Sequence, residues 1–248
     1  MANIKTPNQK KAYKDLSKRL NQYTKKVLAI YTMLAKEAAS IALSEGYDGN
    51  DEFLFANYPK TKRKIKSLLD FFYQNMKALV YSGISDEWEN SNTLQDLLVR
   101  RVMKTYTKRI GQKRVTEYYE KNNAAKEAFK HRTINGLNLS QRIWNQQEDV
   151  KKSLERALST GIEKGMSAVK LSKRVSKYLN DYPSLAKDYK KKYGKAVDVS
   201  GCEYRSVRLA RNEINMSYRA AEQARWRNLD FVKGIEIKTS GSHPKEDM

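Results

Sequence analysis

The chain has 248 residues, 40% of them hydrophobic, and its 49 Lys and Arg against 28 Asp and Glu leave a net charge of +21. Length and apolar content suffice for one large or two small domains and exclude a disordered, low-complexity chain. The single cysteine, Cys202, excludes an internal disulfide framework and fits a reducing compartment, while the charge points to polyanions, above all nucleic acid, as partners.

Few glycines and prolines, with Ala, Leu, Lys, Arg and Glu abundant, predict long helices. The start, "MANIKTPNQKK", lacks the apolar centre of a signal peptide, and no apolar run is read as long enough to span a bilayer. The expectation is a soluble protein used inside a cell, without a membrane partner.

Residues 8 to 44 carry a stripe at steps of three and four: Tyr13, Leu16, Leu20, Tyr23, Val27, Ile30, Leu34, Ala38 and Ile41. "EGYDGN" closes this helix. A second helix is predicted from about Lys60 to Tyr81, stopped by Gly83. Ser85 is expected to cap a third, which carries Trp88, Leu97 and Val102 towards Lys130. "TINGLNLS", with Gly136 at its centre, marks the internal boundary, giving a helical region over 1–133 and a second region over 134–248. Ser140 then opens a helix with Ile143, Trp144, Val150, Leu154 and Leu158. Ser167 caps a shorter one with Leu171, Val175 and Leu179 on one side. "YPSLAKDYKKKYGKAVDVSGC" reads as a basic loop broken by Pro183. A last helix covers about Glu203 to Asn228, and Ile235 and Ile237 alternate with polar residues as in a half-buried strand. The expected fold is mainly α, with long packed helices and a small, incomplete α+β element at the C-terminus.

Catalytic signals are weak. His131 sits between Lys130 and Arg132 and reads as a solvated helix end. Cys202 near a helix start has no identifiable partner, and the tail offers only His243 and Asp247 as metal ligands, too few for a closed site. No phosphate loop or dinucleotide fingerprint is present, so no cofactor, metal or catalytic residue is expected. Glu213, among the arginines of "RLARNEINMSYRAAEQARWRN", reads as a structural ion pair with Arg211. Two basic, tyrosine-bearing segments suit phosphate contact. One offers Lys187, Lys190, Lys191, Lys192 and Lys195, the other Lys108, Arg109, Lys113 and Arg114. No sequence-reading DNA-binding motif accompanies them.

The second half resembles a known family. "GLNLSQRIWNQQEDV…GMSAVKLSKRVSKYLND" and "RLARNEINMSYRAAEQARWRNLDFVKGIEI…HPKED" are similar to the phage minor head proteins of the Mu F-like head morphogenesis family. These have a Leu-Ser-x-Arg-(Ile or Val)-Trp opening, a Gly-x-Ser turn in which the middle residue is often Met, an Arg-x-x-x-Asn helix that often carries Glu at its centre, a Val-x-Gly strand and then His-Pro-x-x-Asp. The resemblance covers about residues 134 to 248. It implies a virion protein inside the capsid or at the portal vertex, and in the host cytoplasm during assembly. Its implied contacts are the portal protein, packaged DNA and the major capsid or scaffold protein. In that family the His-Pro-x-x-Asp segment leads on to a Cys/His-containing module, so the chain, ending at Met248, is expected to be C-terminally incomplete. A free nucleic-acid-binding protein and a nuclease completed by the absent segment are the competing expectations.

Overall fold

The computed structural model describes residues 9–106, 110–198 and 201–234. The expected strand at Ile235 and Ile237, and His243 and Asp247, lie outside the described residues. Among the described residues the protein is mainly α, with nine α-helices, two short 3-10 turns (Phe55–Asn57 and Pro59–Thr61) and one two-stranded hairpin.

Helix α1, Gln9–Ser44, buries the stripe read from the sequence, from Leu16 through Val27 and Leu34 to Ile41. It contains an 18-residue stretch of mean hydropathy 1.4, apolar and long enough by composition to cross a membrane, contrary to the sequence reading. Half of that stretch is buried inside the fold, where α1 packs against α2 (Lys62–Tyr106), α6 (Gln146–Gly161), α7 (Ala168–Asn180) and α9 (Cys202–Asn228). Gly46 and Gly49 follow at φ +70° and +89°, a conformation that side chains with a Cβ rarely adopt.

Helix α2, Lys62–Tyr106, runs 45 residues without a break, roughly 68 Å at 1.5 Å per residue. Gly83 does not stop it. A Cβ there would lie 2.5 Å from Ile214 Cδ1 and 3.2 Å from Tyr23, so the glycine instead lets α1, α2 and the last helix approach one another. Ser85 caps nothing; its hydroxyl donates back to Tyr81 O at 3.2 Å. The expected continuation towards Lys130 is divided into α2 and two short helices, α3 (Gln112–Tyr118) and α4 (Asn123–His131). Asn122, in the left-handed region at φ 53°, turns the chain between them.

Thr133–Ile134 (β1) pairs antiparallel with Leu137–Asn138 (β2). Asn135 and Gly136 between them both have positive φ, as a type I′ hairpin turn requires. Asn138, rather than Ser140, opens α5 (Leu139–Trp144). It forms a capping box in which its side chain accepts from Gln141 N and the Gln141 side chain accepts from Asn138 N, both at 2.9 Å. The single helix expected to carry Trp144 and Val150 is two: α5 ends at Trp144, which is 59% exposed, and α6 (Gln146–Gly161) sets out separately. Ser167 caps α7 (Ala168–Asn180) as expected, its side chain accepting from Lys170 N.

The expected basic loop is largely helix: α8 spans Tyr182–Tyr193. Pro183 sits in its first turn, where the missing N–H costs no hydrogen bond. Helix α9, Cys202–Asn228, lies along α2 and α1. Residues before the hairpin, such as Phe72 and Met76, and after it, such as Leu154 and Leu158, share one apolar cluster. Two smaller clusters extend the packing, one of Leu16, Leu20, Tyr23, Ile214 and Tyr218, the other of Val99, Tyr118 and Leu229.

Candidate nucleic-acid interface

Helices α7 and α8 are joined by one residue, Asp181. Its carboxylate accepts from Ser184 N at 3.2 Å and from the Ser184 hydroxyl at 2.6 Å. These bonds hold the carboxyl below its usual range. Leu171, Val175 and Leu179 of α7 and Tyr182, Leu185 and Tyr189 of α8 are buried, which fixes the pair on α6 and α1. Arg156 of α6 ties the junction by donating to Tyr182 OH at 2.7 Å. Lysines 190 to 192 fall in the last turn of α8, where positive charge complements the helix dipole, and Gly194 closes it at φ 70°.

Between α7, α8 and the end of α6 lies an open recess of about 720 Å³. Arg174, Lys177, Lys187, Lys191 and Lys192 line it, with Glu163 and Asp188 as the acidic members. Five cations against two carboxylates leave a surplus of three positive charges. Part of this charge is engaged. Arg174 donates to Glu163 at 2.5 Å and to Gly161 O at 3.0 Å. Lys192 donates to Ser159 O at 2.6 Å. Asp188 accepts from Tyr178 OH at 2.9 Å, and burial, then the carboxylate, push that phenol up to about 12. Lys177, Lys187 and Lys191 are exposed.

No protein family, curated protein or solved structure matches the chain.

Of the lysines expected to contact DNA, Lys187, Lys191 and Lys192 share this recess, and Lys190 stands exposed on the same helix. Lys195 is drawn away into an ion pair with Glu52 at 2.5 Å. In the second basic segment Lys113 is exposed, whereas Arg114 is held by Glu117 at 2.6 Å and Asp230 at 2.9 Å. Lys108 and Arg109 lie outside the described residues. Helix α3 packs on α9, away from the α6–α8 layer that supports α8, so the two basic segments belong to different parts of the fold. Sequence reasoning missed Arg174 and Lys177. The signal was in "KLSKRVSKYLN", where they stand three apart between the buried positions Leu171, Val175 and Leu179.

Glu213 is buried, 1% exposed, but Arg211 is not its partner. Residues two apart on a helix point roughly 200° from one another, and Arg211 donates instead to Asn21 at 2.8 Å and Thr24 at 3.0 Å on α1. Glu213 accepts from Arg132 Nη2 and Arg142 Nη1, each at 2.8 Å. These two arginines flank the β-hairpin, which brings them together. Arg132 also lies 3.5 Å over the Phe129 ring.

The helix interfaces hold further buried charge. Glu87 takes both arms of Arg19 at 2.7 and 2.8 Å. Arg225, fully buried, meets Asp96 and donates to Glu120 O at 2.8 Å. Glu222 accepts from Tyr13 at 3.2 Å, and burial raises its carboxyl pKa. Among the described residues no three His, Cys, Asp or Glu side chains lie close enough to hold a metal ion. Cys202 is buried, and burial pushes its thiol up rather than down, the direction opposite to that of a reactive thiolate. His131 is exposed in the last turn of α4, beside Glu127.

Proposed function

We propose that this chain is a structural minor head protein of a phage, associated with the portal and acting in head assembly and in DNA packaging or delivery. In this reading it carries out no reaction of its own and touches DNA without reading sequence. The observation that carries the reading is the link between two sequence blocks of the resemblance. Arg142 of "LSQRIW" and Glu213 of "RNEIN" are joined directly at 2.8 Å, with Arg142 held on capped α5 and Glu213 on α9. Blocks 71 residues apart in sequence thus form one folded unit. The surplus of positive charge and the basic recess support the DNA contact.

The test is quantitative mass spectrometry of purified particles of the encoding phage, with gel shifts of the isolated protein. The chain should be present in a few copies per particle, and should bind any duplex with an affinity that falls steeply as salt rises. Absence from particles refutes the head assignment, and binding that survives high salt or needs one sequence refutes the DNA contact.

A further inference from the structure

The recess between α7 and α8 has a charge layout more specific than a basic surface. Lys187 and Lys191 stand one turn apart on α8, which sets their Cβ atoms about 5–6 Å apart. Arg174 and Lys177, three apart on α7, form a second short ladder on the other wall. The recess is open and far larger than one phosphate. A ladder one helical turn long is comparable with the separation of successive phosphates along a single nucleic-acid strand.

The chemistry of the free groups narrows the occupant. Lysine is a mobile point charge suited to phosphate oxygens, whereas the one guanidinium, Arg174, is already engaged by Glu163 and Gly161 O. The hydroxyl donors lining the recess are also in use. Ser184 donates to Asp181, Thr160 to Arg156 O and Tyr178 to Asp188. With these donors committed inside the fold, the recess has charge to offer and no fixed donor to aim at base edges.

We infer that the α7–α8 recess holds the sugar-phosphate backbone of one nucleic-acid strand, with Lys187 and Lys191 on successive phosphates and Lys177 closing from the opposite wall. The inference rests on the nucleic-acid reading above and gives that contact a place and a size of about three phosphates. Each phosphate neutralised on B-form DNA contributes about 0.9 to the slope of log affinity against log salt.

The test is a fluorescence-anisotropy titration of a short mixed-sequence duplex between about 50 and 200 mM salt, using the full chain. The triple variant Lys177→Ala, Lys187→Ala, Lys191→Ala should lower the slope by about two to three and weaken binding by roughly tenfold or more at the low-salt end. Its melting temperature should match the wild type, since all three side chains are exposed. A control triple on α1, Lys10→Ala, Lys14→Ala, Lys25→Ala, removes the same charge and should change the slope by less than about one. Equal losses in the two triples, or an unchanged slope in the recess triple, overturn the recess while leaving nonspecific DNA contact standing. A wild-type protein that binds no duplex at low salt overturns both.

Discussion

Glu213→Gln is expected to be among the most damaging isosteric changes in this fold. The substitution keeps the shape and one carbonyl acceptor but removes the charge that two guanidinium groups share at 2.8 Å each. Arg132 keeps alternatives, since it donates to Phe129 O at 2.6 Å and lies over the Phe129 ring. Arg142 does not: its Nε and Nη2 are already buried without a partner, so losing the carboxylate leaves it largely unsatisfied. Breaking a buried pair by removing one member costs about 3–5 kcal/mol, and the retained acceptor returns part of that, so the expected loss is about 2–4 kcal/mol. For a chain of this size, each kcal/mol corresponds to roughly 2–4 °C, which places the melting temperature about 5–15 °C lower. Urea midpoints and thermal melts at neutral pH measure it. Arg211→Ala, which removes bonds to Asn21 and Thr24 at the surface of α1, should cost less than about 1 kcal/mol. In a double-mutant cycle, Glu213→Gln and Arg142→Met should be strongly non-additive. If Glu213→Gln melts within a degree of the wild type, or if Arg211→Ala costs as much, the buried triad is not what holds the hairpin to α9.

Three further outcomes are expected. Gly83→Ala should destabilise by up to about 2 kcal/mol, because overpacking at about 1–3 kcal/mol opposes the ~1 kcal/mol gain in helix propensity; the new Cβ would stand 2.5 Å from Ile214 Cδ1 and 2.8 Å from Cγ1. Ile214 is itself fully buried, so Ile214→Ala is destabilising alone, but in urea unfolding the double variant should lose less than the sum of the two single losses; a Gly83→Ala protein more stable than the wild type would refute the close approach. Glu155, buried while accepting from Phe55 N at 2.9 Å, has its carboxyl pKa raised above 4.5 by burial. With the folded value above the unfolded one, its contribution is complete below about pH 4.5 and is lost as pH rises through the folded value. Glu155→Gln should therefore have a higher urea midpoint than the wild type at pH 7, and the gain should vanish near pH 4; a gain that persists in acid would refute the burial argument. Asn138→Ala removes one side of the α5 capping box and should cost about 1 kcal/mol by thermal melt; an Asn138→Ala protein that melts with the wild type would refute Asn138 as the cap.

The sequence by itself determined the helical class, the buried face of α1, the Ser167 cap and the extent of α9. Each depends on neighbours within a turn or two, so a period near 3.6 and a capping hydroxyl carry the information locally. The sequence also showed that Glu213 lies among arginines, but the wrong arginine stood nearest. Its partners are 81 and 71 residues away, and only the packing of the hairpin on α9 selects them. Gly83 was misread because glycine answers two opposite needs. It ends helices through backbone freedom, and it lets helices touch by lacking a Cβ; which applies depends on whether Ile214 is there. Pro183 was misread for a similar reason, since proline breaks a helix interior yet suits a first turn, and the position is settled by where α7 ends. The basic recess was half legible. The lysines of α8 were visible as a run, but their convergence with Arg174 and Lys177 depends on two helices folding back about Asp181 onto α6, and charge counted along a chain carries no information about that fold.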